Sequence, residues 1–353
     1  MNFSSNETDD MLAETIQRFA AEELRPSLRE FEAARSVSRD VRERFEALGV
    51  AAVDLPEDLG GAGLGLSSRV KINRLLAEAD AGAALALDRL GPAAYVIEAF
   101  GGRDLVKKYQ DLIASRPEAR VALLVGVEAG TVREGAIRGE AAWIASESAD
   151  VLVGLGREGA WVLESGFELE AVRGAALHAA GASRVRYEGK PSHVWHHPTL
   201  AARALAKIRL YYAALIWGVL SDAAGFSRSY ALERVAFGKP IAHHQALAFL
   251  IVDMHIAIER VGLLIEDAAR QIDAGMDGTG AAASAFVDAV EASRFVGPNA
   301  VQILGGHGFM RDFPVEKAMR DSRALGLLAG GPDAARDDAG AALALANPME
   351  VAS

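Results

Sequence analysis

Residues 230–245 read YALERVAFGKPIAHHQ, and this stretch decides the fold. Gly238 and Pro240 stop whatever helix precedes them. Helix termination accounts for the glycine and the proline but not for Arg234, Phe237 and Gln245 around them. Upstream, Leu205, Ile208, Tyr212, Leu215, Val219, Phe226 and Tyr230 recur at helical spacing and mark one face of a long helix. Downstream, Leu247, Leu250, Met254, Ile258, Val261, Ile265 and Ile272 mark a second, and residues 281–304 a third. Long amphipathic helices joined by short loops predict an antiparallel bundle.

Further out, the pattern changes twice. Residues 119–197 carry short β-rich runs at 121–125, 143–145, 151–153, 161–163 and 184–187, separated by glycine-rich turns, and read as a small antiparallel β domain. Residues 1–118 read as helical: Thr8, Asp9 and Asp10 offer a cap, Leu12, Ile16 and Phe19 follow at helical spacing, and 41–48 is amphipathic. The glycine-rich 55–65 segment interrupts the helices, which resume near Ser67. The expected fold is mainly α with a small β domain: an N-terminal helical domain (1–118), a shortened middle antiparallel β domain (119–197) and a C-terminal four-helix bundle (198–353), with 330–353 expected to be partly frayed.

Composition narrows the chemistry. The chain has 353 residues, half of them apolar, and no cysteine, so disulfides, thiolate nucleophiles and thiolate metal sites are excluded. A net charge of -11 argues against a nucleic acid partner. The first residues lack the basic start and apolar run of a signal peptide. The longest strongly apolar run, 210–221, is shorter than the roughly 20 residues of a membrane span. A cytoplasmic protein without a membrane span is expected.

Two motif matches mislead. Gly154-x-Gly156-x-x-Gly159 fits a dinucleotide fingerprint, but a strand-like run follows where a helix is required, so a hairpin turn is expected. The pairs His196-His197 and His243-His244 lack any carboxylate or histidine at metal-ligand spacing, so no metal site is expected.

Two later stretches complete the pattern: Gln302-x-x-Gly305-Gly306-x-Gly308, and Pro314-Val315-Glu316-Lys317-x-x-Arg320-Asp321. With Arg234-x-x-Phe237-Gly238 and the Leu55-Pro56-Glu57 and Gly60-Gly61-x-Gly63 segment, their order and spacing resemble the acyl-CoA dehydrogenase family over nearly the whole chain. That resemblance implies FAD as cofactor, an acyl-CoA thioester as substrate and an electron-transfer flavoprotein as electron acceptor. It also implies an FAD shared across a subunit interface, one chain holding the flavin ring and its neighbour the adenosine and pyrophosphate end.

By resemblance, Arg234 contacts pyrophosphate, Phe237 packs on the cofactor, Gln245 hydrogen-bonds it, and Gln302, Gly305 and Gly306 lie along adenosine. The ring-holding motifs are eroded. Residues 126–131 lack the family's Gly-Ser-Asp, and the Trp-Ile-Thr/Ser segment is Trp143-Ile144-Ala145-Ser146, leaving Trp143 and Ser146 as weaker cofactor-side contacts. Both usual positions of the proton-abstracting carboxylate are apolar, Ala329 and Ile208, the latter just before Arg209. Glu128 is an alternative carboxylate. The leading expectation is a non-catalytic subunit completing the FAD site of a related acyl-CoA dehydrogenase subunit, as in bacterial steroid side-chain degradation. The alternatives are a self-sufficient flavoenzyme with a displaced base, assembled with itself, and a non-enzymatic interaction protein.

Overall fold

The structure is a computed structural model that describes residues 7–346. Its N-terminal part is helical: α1 (Glu7–Phe19), α2 (Leu28–Ala34), α3 (Arg39–Ala47), α4 (Gly65–Leu87), α5 (Ala93–Val96) and α6 (Gly102–Ser115). Helix α1 is already formed at Glu7, so Thr8 to Asp10 lie in its first turn rather than before it. Helix α4 breaks at Asp80, whose φ of -159° and ψ of 109° are extended. The break aims the Asp80 carboxylate at Lys317, 2.9 Å away. Asp321 reaches the same ammonium at 2.5 Å and accepts the Leu177 N–H at 2.7 Å. This buried cluster fastens three regions of the chain together.

Seven strands follow: β1 (Val121–Val125), β2 (Ile137–Ile144), β3 (Val151–Leu155), β4 (Gly159–Leu163), β5 (Phe167–Ala171), β6 (Ser183–Gly189) and β7 (His193–His196). They form a sheet of order β1-β3-β4-β7 and another of order β2-β6-β5. The expectation of a purely antiparallel domain is corrected here, because β1 pairs with β3 in parallel. The chain between them crosses to the other sheet as β2, the long connection that a parallel pair needs. The glycine-rich 154–159 segment is the β3–β4 hairpin, closed by Gly156 N–H to Gly159 C=O at 2.9 Å.

Helix α7 (Pro198–Glu233) opens on a His197 cap, whose Nδ1 accepts the Leu200 N–H at 3.3 Å. A two-strand ribbon, β8 (Val235–Ala236) and β9 (Lys239–Pro240), leads to α8 (Gln245–Asp273), α9 (Thr279–Leu304), α10 (Val315–Leu325) and α11 (Gly331–Ala346). Helix α9 packs against α7, α8, α10 and α11, and α4 lies along α7. Helix α7 is long and apolar enough to cross a membrane, but most of it lies inside the fold as a core helix. The frayed tail expected at 330–353 is corrected as far as residue 346. Helix α11 is tied to α9 through Arg336 and Glu291, and 347–353 lie outside the described residues.

Candidate functional site

The α7–α8 connection builds the first half of the site. Arg234 ends α7, its N–H bonding the Tyr230 carbonyl at 2.9 Å, and the Ile241 N–H returns to the Arg234 carbonyl at 2.8 Å. Between them the chain reverses through Phe237 and Gly238, with φ of 53° and 79°. Two successive positive φ angles define the type I′ turn, which favours Asn-Gly. Phe237 takes that conformation at a cost of about 1–2 kcal/mol. It is also 96 % exposed, so neither backbone preference nor burial explains the aromatic ring. Arg234 and Gln245 are exposed as well, and Arg234 has no ion-pair partner among the described residues.

The second half is the turn after α9. A side chain at Gly308 would meet the Val301 carbonyl oxygen at 2.4 Å, so packing dictates that glycine. Around Gly305 and Gly306 there is only open space. Gly305 needs its φ of 57°, but Gly306 leaves a smooth surface that nothing among the described residues occupies. Gln302 is exposed beside them.

The two halves meet through residues that the sequence did not single out. Tyr230 Oη lies 2.9 Å from His307 Nδ1, and His307 stacks on Phe313 with ring centroids 4.9 Å apart. Arg29 donates to the carbonyls of Arg311 and Phe313, both at 2.9 Å, and pairs with Glu316 at 2.8 Å. Arg320 joins Glu316 to the buried Glu32. Burial alone would raise the Glu32 carboxyl, but hydrogen bonds from Arg320 and Arg29 outweigh it and hold the group down at about 2. The Pro-Val-Glu-Lys stretch therefore supports the patch from behind. His307 occupied the variable position of its motif, which is why no sequence signal marked it.

The ring-side residues have a different setting. Trp143 and Ser146 line a cavity of about 70 Å³ together with Asp88, Arg120, Tyr211 and Tyr212. That volume lies well below the ~300 Å³ lower end of organic ligand pockets. The Arg120 guanidinium occupies one side, donating to the carbonyls of Leu85 and Ala86, and burial pulls it down to about 10 against the attraction of Asp88. Tyr211 Oη donates to Asp88 at 3.0 Å. Ser146 Oγ is spent on the Ser148 carbonyl at 2.8 Å. A tricyclic flavin ring does not fit this cavity.

Ile208 is fully buried and Ala329 nearly so, and neither offers a proton acceptor. Ala329, Gly330 and Gly331 take φ of 56°, 83° and 79° in succession. A Cβ on Gly126 would lie 3.8 Å from Gly330 Cα, so the 126–131 turn and the 328–331 loop face each other closely across the mouth of the cleft described next. Glu128 lines both this cavity and a larger cleft beside it, without a side-chain partner, and burial raises its carboxyl above the ordinary range.

The larger cleft, about 810 Å³, opens between the β sheets, α7 and α11. Its walls include Leu123, Leu155, Trp195, Leu205, Tyr212 and Leu328, and its polar groups include Arg157, Arg209, Glu158 and Asp338. The histidine pairs serve locally: His197 caps α7, and His244 Nε2 sits 3.2 Å from the Ala236 carbonyl.

A helical unit, a two-sheet β unit and a helical bundle, with a cleft where they meet, define the architecture. Sequence profiles for the acyl-CoA dehydrogenase N-terminal and C-terminal domains match residues 6–116 and 199–344, on either side of the β region. The chain belongs to the acyl-CoA dehydrogenase family. It is 27 % identical to an acryloyl-CoA reductase (NADH) of Anaerotignum propionicum, covering 92 % of this chain and 91 % of the relative. It is 37 % identical to the CarC subunit of the caffeyl-CoA reductase-Etf complex of Acetobacterium woodii, over 37 % of this chain and 34 % of that one. The structure superposes on butyryl-CoA dehydrogenase from Megasphaera elsdenii with a TM-score of 0.85 and 22 % identity, covering 97 % of this chain and all of the other.

Proposed function

We propose that this chain is a subunit of a two-component acyl-CoA dehydrogenase that abstracts no proton itself and completes the FAD site of a related, catalytic subunit. One observation carries the reading: the adenosine-side residues form an open surface patch, while the ring-side cavity is filled and both base positions are apolar. FAD is the family's cofactor and supplies the hydride acceptor when bound. On this chain, Arg234 would pair with two pyrophosphate oxygens, and Phe237 would cover the cofactor. Gln245, Gln302, Gly305 and Gly306 would lie along the adenosine end. Tyr230, His307 and Phe313 hold that surface in shape. The cavity beside Trp143 and Ser146 is too small for the ring and both base positions are apolar, so no proton or hydride step is assigned to this chain.

A second feature supports assembly with another chain. Gln245, Phe249, Val252, Ile256 and Leu263 fall on one face of α8, and every one is exposed. A row of exposed apolar side chains beginning at a cofactor-side glutamine, interrupted by Glu259 and Arg260, suits burial against a partner subunit. The relatives named for acryloyl-CoA and caffeyl-CoA reduction support an acyl-CoA thioester as the substrate class, and the Etf complex supports an electron-transfer flavoprotein as redox partner. A cytoplasmic location accords with that chemistry.

The test is flavin content. The chain purified alone should be colourless, and the chain co-purified with a related subunit carrying the carboxylate loop should be yellow and active. Equal flavin and activity in both samples would defeat the proposal. One observation favours a second reading, a self-sufficient flavoenzyme: the unpartnered Glu128 carboxylate beside both cavities. That reading requires the lone chain to hold FAD, to be bleached by an acyl-CoA, and to lose bleaching in Glu128→Gln.

A further inference from the structure

The wide cleft contains a cation that the proposed function does not use. Arg209 is 3 % exposed, and its Nε is buried without a hydrogen-bond partner. Its Nη2 donates to Asp338 of α11 at 2.6 Å. Asp338 is 34 % exposed, and its other oxygen lies 3.4 Å from Arg157 on the β3–β4 turn. Removing a guanidinium from water costs several kcal/mol, which one half-solvated carboxylate offsets incompletely. The consequence is visible in the titration: burial pulls Arg209 below its ordinary value despite Asp338. A buried, under-satisfied guanidinium on the wall of an 810 Å³ cleft is the arrangement expected where a ligand's anion completes the bonding.

The rest of the cleft restricts that anion. Leu155, Trp195, Leu205, Tyr212 and Leu328 make a largely apolar wall suited to a hydrocarbon chain. Glu128 and Glu158 also face the cavity, so a polyphosphate would meet like charge, whereas a ligand with one anionic head need only reach the arginines. The Asp338 side chain can turn to solvent while α11 stays docked, because the helix packs on α9 and its Arg336 pairs with Glu291 there.

We propose that Arg209 and Arg157 form the anion end of a ligand site for a carboxylate carried on an apolar chain, with Asp338 as an internal stand-in that the ligand displaces. The site lies within this chain and does not depend on a partner subunit or on FAD.

Decanoate titrated into the purified full-length chain tests this, with Trp161 and Trp195 fluorescence as the readout. Decanol serves as the chain without the anion and acetate as the anion without the chain. Asp338→Asn removes the competing charge and should tighten decanoate about tenfold, while Arg209→Gln should weaken it at least about tenfold. Decanol should be indifferent to both substitutions, and acetate should not bind. Arg157→Gln provides a check that folding cannot confound, since Arg157 is 69 % exposed, and should weaken decanoate severalfold in the Asp338→Asn background. The proposal is overturned if decanoate binds Asp338→Asn no more tightly than the parent chain, or if decanol binds as decanoate does. It is also overturned if Arg157→Gln leaves decanoate binding unchanged.

Discussion

The patch around Arg234, Phe237 and Gly306 and the cavity around Trp143 and Asp88, the two halves of the proposed cofactor site, are built in opposite ways. The patch remains open and includes a strained, exposed aromatic ring. The cavity is closed by its own side chains: Arg120 on backbone carbonyls, Tyr211 on Asp88, Ser146 on its own turn. An aromatic residue held at positive φ and 96 % exposed, with only an edge-on contact to His244, adds little to the stability of this chain alone. A cavity whose polar groups are satisfied by internal hydrogen bonds needs no ligand to complete them. The proposed division of labour between two subunits rests on this contrast, and each side of it can be broken experimentally.

Acid should produce the largest effect. Glu32 is held at about 2 against its ordinary 4.5, so its contribution is complete above pH 4.5 and is lost as the pH falls toward 2. A shift of that size corresponds to about 3 kcal/mol for a side chain this buried. Since Arg29, Arg320 and Glu316 connect Glu32 to the backbone under the patch, melts taken from pH 6 down to 3 should record a falling Tm. Glu32→Gln should be less stable at pH 6 and show a shallower pH dependence. A parent-like profile in that variant would remove Glu32 from the support of the patch.

Arg234→Ala in the assembled complex comes next. Loss of a charge-assisted pair with pyrophosphate should cost about 1.5–3 kcal/mol, or roughly ten- to a hundredfold in FAD affinity, measured by equilibrium dialysis. The melting temperature of the lone chain should not move, because Arg234 is exposed and unpaired there. A parent-like FAD affinity would make the patch a relic and favour an interaction protein without a cofactor.

Phe237→Gly sharpens the comparison further. Glycine relieves the positive φ and should stabilise the lone chain by up to about 1 kcal/mol, read as a higher Tm. The same substitution should weaken FAD retention in the complex. Lower stability together with unchanged FAD would mean that the ring serves the fold.

The smallest expected effect is on the other side. Ala329→Glu restores a carboxylate at the usual base position, yet acyl-CoA-dependent reduction of a dye by the lone chain should stay at background. The cavity around Trp143 and Ser146, about 70 Å³, is too small for the flavin ring that would accept the hydride. Activity gained by that single change would contradict the account of the cavity.

Much of the fold was legible because it follows periodic burial. The stripe from Leu205 to Tyr230 became α7, and the run Val121–Val125 became β1 residue for residue. Strand β5 does alternate Phe167, Leu169 and Ala171 with Glu168 and Glu170, a period-two signal that the expected strands left out, whereas β7, four residues long with two histidines, is too short and polar to mark itself. The parallel β1–β3 pairing depends on a connection through another sheet, which local pattern does not encode. Helix α11 reads as a glycine- and alanine-rich tail because its order comes from docking on α9. At the site, the family resemblance is what singles out Arg234, Phe237, Gln245 and the Gln302 strip. It did not deliver the Phe237 backbone strain, the Tyr230–His307 contact or the cavity filled by Asp88, Arg120 and Tyr211, since each joins residues distant in sequence or depends on φ.

The central claim, that this chain lends the adenosine side of a partner's FAD site and holds no flavin ring itself, is tested most directly by counting FAD in the two-component complex. Absorbance of released flavin against protein mass should give one FAD for each pair of unlike chains, and none for this chain alone after incubation with excess FAD. Two FAD for each pair, or a stoichiometric yellow lone chain, would contradict it.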